Sequence, residues 1–113
     1  MKLQEYMDFR ELDVKELAKM TGISRRAIDG YLNDDHCPQN YMIVIMICVV
    51  LELSFDESMV LMHGAGITLR LKSMTEEMKV HCSALTNTSM RTLKEWNDFF
   101  VESGFSILKT KTD

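Results

Sequence analysis

With 113 residues, 46% of them apolar, and a formal net charge of −4, the chain can build one compact core or two small ones and bury little beyond that. Its longest apolar run, "YMIVIMICVVL" from Tyr41 to Leu51, falls far short of the roughly 20 residues a bilayer span needs, and "MKLQEYMDF" lacks an apolar signal core, so neither a membrane nor a secretory role is expected. Cys37, Cys48 and Cys82 are odd in number and lack a paired short spacing, which argues against a disulfide framework or a CxxC metal knuckle and makes a reducing cytoplasm the expected home.

The chain reads as helical almost throughout. A first helix is predicted through "KLQEYMDFREL", with Leu3, Tyr6 and Met7 on one side. Asp13 then caps "VKELAKM", where Val14, Leu17, Ala18 and, at the edge, Met20 face inward. Gly22 stops that helix, and two residues later Ser24 is placed to accept the free amide hydrogens of a third. "KMTGIS" is therefore a tight turn between two short helices. The polar stretch "NDDHCPQN" follows as a loop, with Pro38 just before or at the start of a new helix.

The segment Tyr41 to Leu53 is rich in β-branched residues, and periodicity alone does not separate a buried strand from a buried helix there. Length, and the absence of a second strand-like run to pair with, favour a helix that must be covered on nearly every side. Ser54 to Glu57 is a capping box opening the next helix, which Gly64 or Gly66 can terminate. A second capping box, Ser73 to Glu76, opens a helix expected to put Met74, Met78, Cys82 and Leu85 on one face. "TLKEWNDFFVESG" makes the last helix, with Leu93, Trp96 and Phe100 inward and Gly104 as its stop. Ser54 to Leu69 also aligns with Thr92 to Ile107, 38 residues on, matching Glu57 with Glu95 and Gly66 with Gly104. Two readings stay open: a duplicated helical unit, or two amphipathic helices that share only a start and a stop.

The stretch "DVKELAKMTGISRRAIDGYLNDDHCPQNYMIVIMICVVLELSFDESMVLM" resembles the helix-turn-helix domain of the lambda repressor, Cro and the Xre-like bacterial regulators. Leu17 and Ala18, Gly22, Ser24, Ile28 and Tyr31, Pro38, and Leu51 to Glu57 occupy the places of that pattern. The match covers roughly residues 1–66. It implies an all-α fold: a five-helix lambda-repressor-like domain over residues 1–67, then a C-terminal two-helix unit over residues 68–113 used for packing or dimerisation. It also implies a cytoplasmic, bacterial or phage-derived transcriptional regulator that binds double-stranded DNA as a homodimer. Its recognition helix would run from Ser24 to Leu32, with DNA-contacting positions at Ser24, Arg25, Arg26, Asp29, Gly30, Asn33 and Asn40.

The chemistry behind that assignment is direct. An arginine just after the cap of a recognition helix can donate two hydrogen bonds to guanine O6 and N7, and Arg25 and Arg26 stand there. Within the helix itself, positive charge at the N-terminus mildly opposes the dipole, so a functional reason is favoured. Three features depart from the family pattern. Residues 1–66 carry six Lys and Arg against eleven Asp and Glu, a balance of −5, where phosphate attraction would want the opposite. Val14 stands where a polar residue often reaches DNA, and the loop before Pro38 is "NDDHC", with Asp34 and Asp35 near where a phosphate would lie. These features sustain a second expectation, a helix-turn-helix fold used as a protein-interaction module, antirepressor or antitoxin-like.

Other constellations are weaker. His36–Cys37 and His81–Cys82 offer four possible metal ligands, but neighbours on a helix point about 100° apart, and a core Cys82 beside a solvated His81 is the expected arrangement. No metal or cofactor is expected. No nucleophile–base pair, phosphate-cradling glycine loop or paired-carboxylate motif stands out, so no enzyme activity is expected. Trp96, Phe99, Phe100, Phe105 and Ile107 cluster near the end of the chain. With the fourth helix, they are expected to supply a two-fold interface.

Overall fold

The apolar run folds as a helix, and every residue from Met42 to Val49 is buried. Its β-branched residues have no intrinsic preference for this conformation, and burial on all sides outweighs that. Asn40 starts it, its side-chain oxygen accepting the Ile43 N–H at 3.1 Å. The computed structural model describes residues 2–110, apart from the Leu71 side chain. Among these residues there are seven α-helices and no strand: α1 Leu3–Phe9, α2 Val14–Thr21, α3 Arg25–Leu32, α4 Tyr41–Val50, α5 Phe55–Gly64, α6 Glu76–Cys82 and α7 Leu93–Glu102. Short 3₁₀ turns occupy Leu71–Ser73 and Ser83–Thr86. The last three residues of the expected C-terminal unit lie outside the described residues.

α4 is covered by α2 on one side, by α5 on another, and by α6, the Ser83–Thr86 turn and α7 on the rest. One continuous core results, running from Leu3 and Met7 through α4 to Phe100 and Leu108. The radius of gyration, 13.1 Å, is what a single domain of this length should have. The end of α4 is tied down by side chains from far along the chain. The Arg10 guanidinium donates to the Leu51 and Glu52 carbonyls at 2.7 and 2.9 Å, and the Thr88 hydroxyl donates to the Leu53 carbonyl. Such partners are needed because the last carbonyls of a helix have none within it.

α5 and α7 share one construction. Ser54 and Thr92 each accept an amide hydrogen from the third residue of the helix, Glu57 and Glu95, whose carboxylates accept the cap's own N–H. Each helix spans ten residues. Each is followed by a left-handed glycine, Gly66 at φ 75° and Gly104 at φ 87°, and by a returning bond, Ile67 N–H to Met62 and Phe105 N–H to Phe100. The 38-residue correspondence therefore extends from cap to stop, and Gly66 rather than Gly64 is the terminator.

Several expectations are corrected. α1 ends at Phe9, because Glu11 turns left-handed at φ 56° and Leu12 N–H returns to Met7. Met20 is exposed at the rim of α2. α6 is capped by Thr75, whose hydroxyl accepts the Met78 N–H at 3.2 Å, while Ser73 belongs to the preceding 3₁₀ turn. The inward face of α6 turns with that start. His81 is fully buried and Cys82 only half-buried, the reverse of the expected pair, and Met74 and Met78 are likewise half-buried. The expected C-terminal interface is also largely consumed within the chain: Trp96 and Phe100 are buried and Phe99 packs against the same core, as α4 does. Ile107 alone of that cluster is strongly exposed.

Candidate nucleic-acid interface

The turn between α2 and α3 is fixed by local chemistry. Asp13 and Glu16 form a capping box at the start of α2. Its end is set by Gly22, left-handed at φ 80°, whose N–H returns to the Ala18 carbonyl at 2.9 Å. Thr21, which sequence reasoning passed over, does two jobs in the turn. Its buried hydroxyl donates to the Leu17 carbonyl at 2.8 Å and accepts the Ile23 N–H at 3.1 Å. A threonine just before a helix-ending glycine, with an apolar residue after it, was the available signal.

Ser24 then caps α3, its hydroxyl accepting the Ala27 N–H at 3.1 Å. Ile28 and Tyr31 are buried and hold α3 against α1 and α2. At 3.6 residues per turn, this leaves Arg25, Arg26, Asp29 and Asn33 within about 100° of arc on the outer side, and all four are exposed. Neither arginine makes a hydrogen bond or ion pair among the described residues. α2, α5, α6 and α7 each carry an acidic residue in the first turn, the arrangement the helix dipole favours. α3 has none there and opens on two arginines instead. Among the described residues no hydrogen bond or ion pair compensates for that choice.

The other expected contact positions divide. Ser24 is exposed at the arginine end, and Asn33 is exposed just past the far end of the helix. Asn40 is half-buried, and its side-chain oxygen is engaged in capping α4. Gly30 lies outside the exposed arc: it is buried, and a Cβ built there would meet the His36 ring as close as 1.8 Å. The loop after α3 folds back to do this. Asp34 turns left-handed at φ 59°, Asp35 N–H bonds the Gly30 carbonyl at 2.9 Å, and His36 sets its ring edge-on to Tyr31 at 5.1 Å. Charge is thus polarised along α3, basic at its start and acidic beyond its end, over the roughly 12 Å that eight residues span.

The two His–Cys pairs are placed differently. His36 and Cys37 are exposed beside α3. His81 is enclosed, with Nδ1 2.9 Å from the Tyr41 hydroxyl, Nε2 2.8 Å from the Ser106 carbonyl, and its ring edge-on to Phe100 at 4.8 Å. A carbonyl only accepts, so Nε2 carries a proton and donates it. Burial pushes the Cys82 thiol up to about 11 and the Cys48 thiol up to about 12. Among the described residues no group of three or more His, Cys, Asp or Glu is arranged to hold a metal ion, and no helix is long and apolar enough to cross a membrane. Compared with protein-family models, with curated proteins and with solved structures, the chain matches none.

Proposed function

We propose that the chain is a sequence-specific DNA-binding regulator of the lambda repressor/Cro/Xre-like kind, in which α2 and α3 act as the helix-turn-helix and α3 enters the major groove. One observation carries this reading: Arg25 and Arg26 stand exposed, with no ion pair among the described residues, at the start of a helix whose inner side is locked by Ile28 and Tyr31. In this role the arginines read guanine edges, and Ser24 and Asn33 contact phosphates at the two ends of the helix. Gly30 and Asn40 act structurally, one making room for His36 and the other capping α4. A single short helix reads only a few base pairs, so two copies on half-sites about one helical turn apart complete the reading.

Selection from randomised duplexes with the purified protein tests this. One enriched motif is expected, with affinity that falls steeply as salt rises. Arg25→Ala and Arg26→Ala should each weaken binding to it by about 1 to 3 kcal/mol and relax base preference at the position each contacts. Two variants that bind like the parent would refute base reading by α3. A second reading, a protein-interaction module, is favoured by the −5 balance of residues 1–66 and by Asp34 and Asp35 beyond α3. It requires that selection enrich no motif and that a basic protein partner bind through the same helix.

A further inference from the structure

A groove of about 390 Å³ opens between the end of α2, the last turn of α4 and the start of α7, on residues that the DNA-binding role does not use. Its volume lies in the range of small-molecule sites. Met20, Val49, Val50 and Leu93 give it an apolar floor, and Glu52, Arg91 and Lys94 stand at its rim.

The charges at that rim are unevenly answered. Glu52 is engaged by Arg10, with Nη1 and Oε2 3.7 Å apart. Glu95, one residue beyond Lys94, accepts the Thr92 N–H at 3.0 Å. Lys94 and Arg91, in contrast, make no hydrogen bond or ion pair among the described residues. Arg91 is held in place from behind, its guanidinium carbon 4.8 Å from the Trp96 ring centroid and 4.5 Å from that of Phe99. An apolar trough thus ends at Lys94 and at Arg91, which also lines a second cleft with Glu95, Asp98 and Glu102, in a chain whose net charge is −4.

We propose that this groove binds a small apolar carboxylate: an alkyl or aryl body on Met20, Val49, Val50 and Leu93, with the carboxylate toward Lys94 and Arg91. The body removes apolar surface from water on both sides. The flexible, exposed Met20 adjusts to its shape. The carboxylate meets cations of which one, Arg91, is already oriented by the rings beneath it, so little side-chain freedom is lost on binding. An ammonium head on the same body would be repelled.

Octanoate, octylammonium and the full chain test this without DNA. The chain's one tryptophan, Trp96, lies beneath Arg91, so octanoate should shift its emission saturably and move the Met20 methyl resonance at the same concentrations. Octylammonium should bind about tenfold more weakly or not at all, and Lys94→Glu, at an exposed position, should weaken octanoate roughly three- to tenfold with an unchanged melting curve. No saturable change in either signal up to millimolar octanoate would overturn the proposal. So would octylammonium binding equal to octanoate, or a Lys94→Glu variant binding like the parent.

Discussion

The start of α3 and the junction of α6 with the C-terminal tail use similar polar chemistry in opposite ways. At the junction, Glu77, His81, Asn97 and Ser106 each have a partner within the chain. Glu77 accepts from the Ser106 backbone N–H at 2.9 Å and from its hydroxyl, His81 joins Tyr41 to the Ser106 carbonyl, and Asn97 accepts the Leu108 N–H at 2.9 Å. At α3, Arg25 and Arg26 have none among the described residues, although they sit against the dipole of their own helix. A polar group satisfied internally contributes to architecture, because removing it strands its partner. One left unsatisfied at a mild local cost contributes little to architecture and is free for something outside. The contrast makes the two regions separable by experiment.

The largest effect is expected at His81. His81→Ala leaves the Tyr41 hydroxyl and the Ser106 carbonyl without their partner and opens a void against Phe100. Together these should cost about 3 kcal/mol of folding stability and lower the melting temperature by roughly 10 to 20 °C. A melting curve unchanged by His81→Ala would show that the junction is not structural. The next effect is at α3 and has the opposite signature. Arg25→Ala and Arg26→Ala should leave stability within about 0.5 kcal/mol of the parent, while the DNA affinity of the selected site falls as stated above. A large loss of stability in either would mean that the arginines are engaged after all.

The same contrast explains what the sequence could and could not disclose. Caps and stops are local, and Asp13, Gly22, Ser24, Ser54 and Gly104 were legible because each acts within four residues of itself. The exposure of Arg25, Arg26, Asp29 and Asn33 on the outer side of α3 was legible for the same reason. His81 was not: its partners lie 40 and 25 residues away, and nothing in "KVHCSAL" distinguishes a buried imidazole from a solvated one. Ser73 and Thr75 are both plausible caps by spacing, and only the packing of α6 on α4 and the tail selects Thr75. Arg10, which reaches 41 residues to cap α4, was hidden in the same way.

Gly30 gives a smaller effect and tests that boundary directly. It is helical, and the atoms a Cβ would meet are at the far end of the exposed His36 side chain, which can swing away. Gly30→Ala should therefore release His36 while gaining about 0.5 to 1 kcal/mol of helix stability. DNA affinity should change little if Gly30 only makes room for His36. A collapse of DNA binding with the fold intact would return Gly30 to the contact surface.

The smallest effect is a pH dependence confined to the junction. Hydrogen bonds from the Ser106 hydroxyl and backbone N–H hold the Glu77 carboxyl below its ordinary value of 4.5, with His81 and Lys109 adding a little in the same direction. A carboxyl whose value is lowered by folding adds stability that is fully present above the unfolded value and is lost as pH falls through the folded one. The gain is modest because the group is only partly withdrawn from water. In denaturant titrations, Glu77→Gln should therefore be less stable than the parent near about pH 7, and the gap should close as pH is taken below about 4. Arg25→Ala removes no carboxylate and touches nothing at the junction, so it should show no such convergence. A Glu77→Gln gap that stays constant across the titration would mean that the Ser106 bonds do not depend on the carboxylate charge.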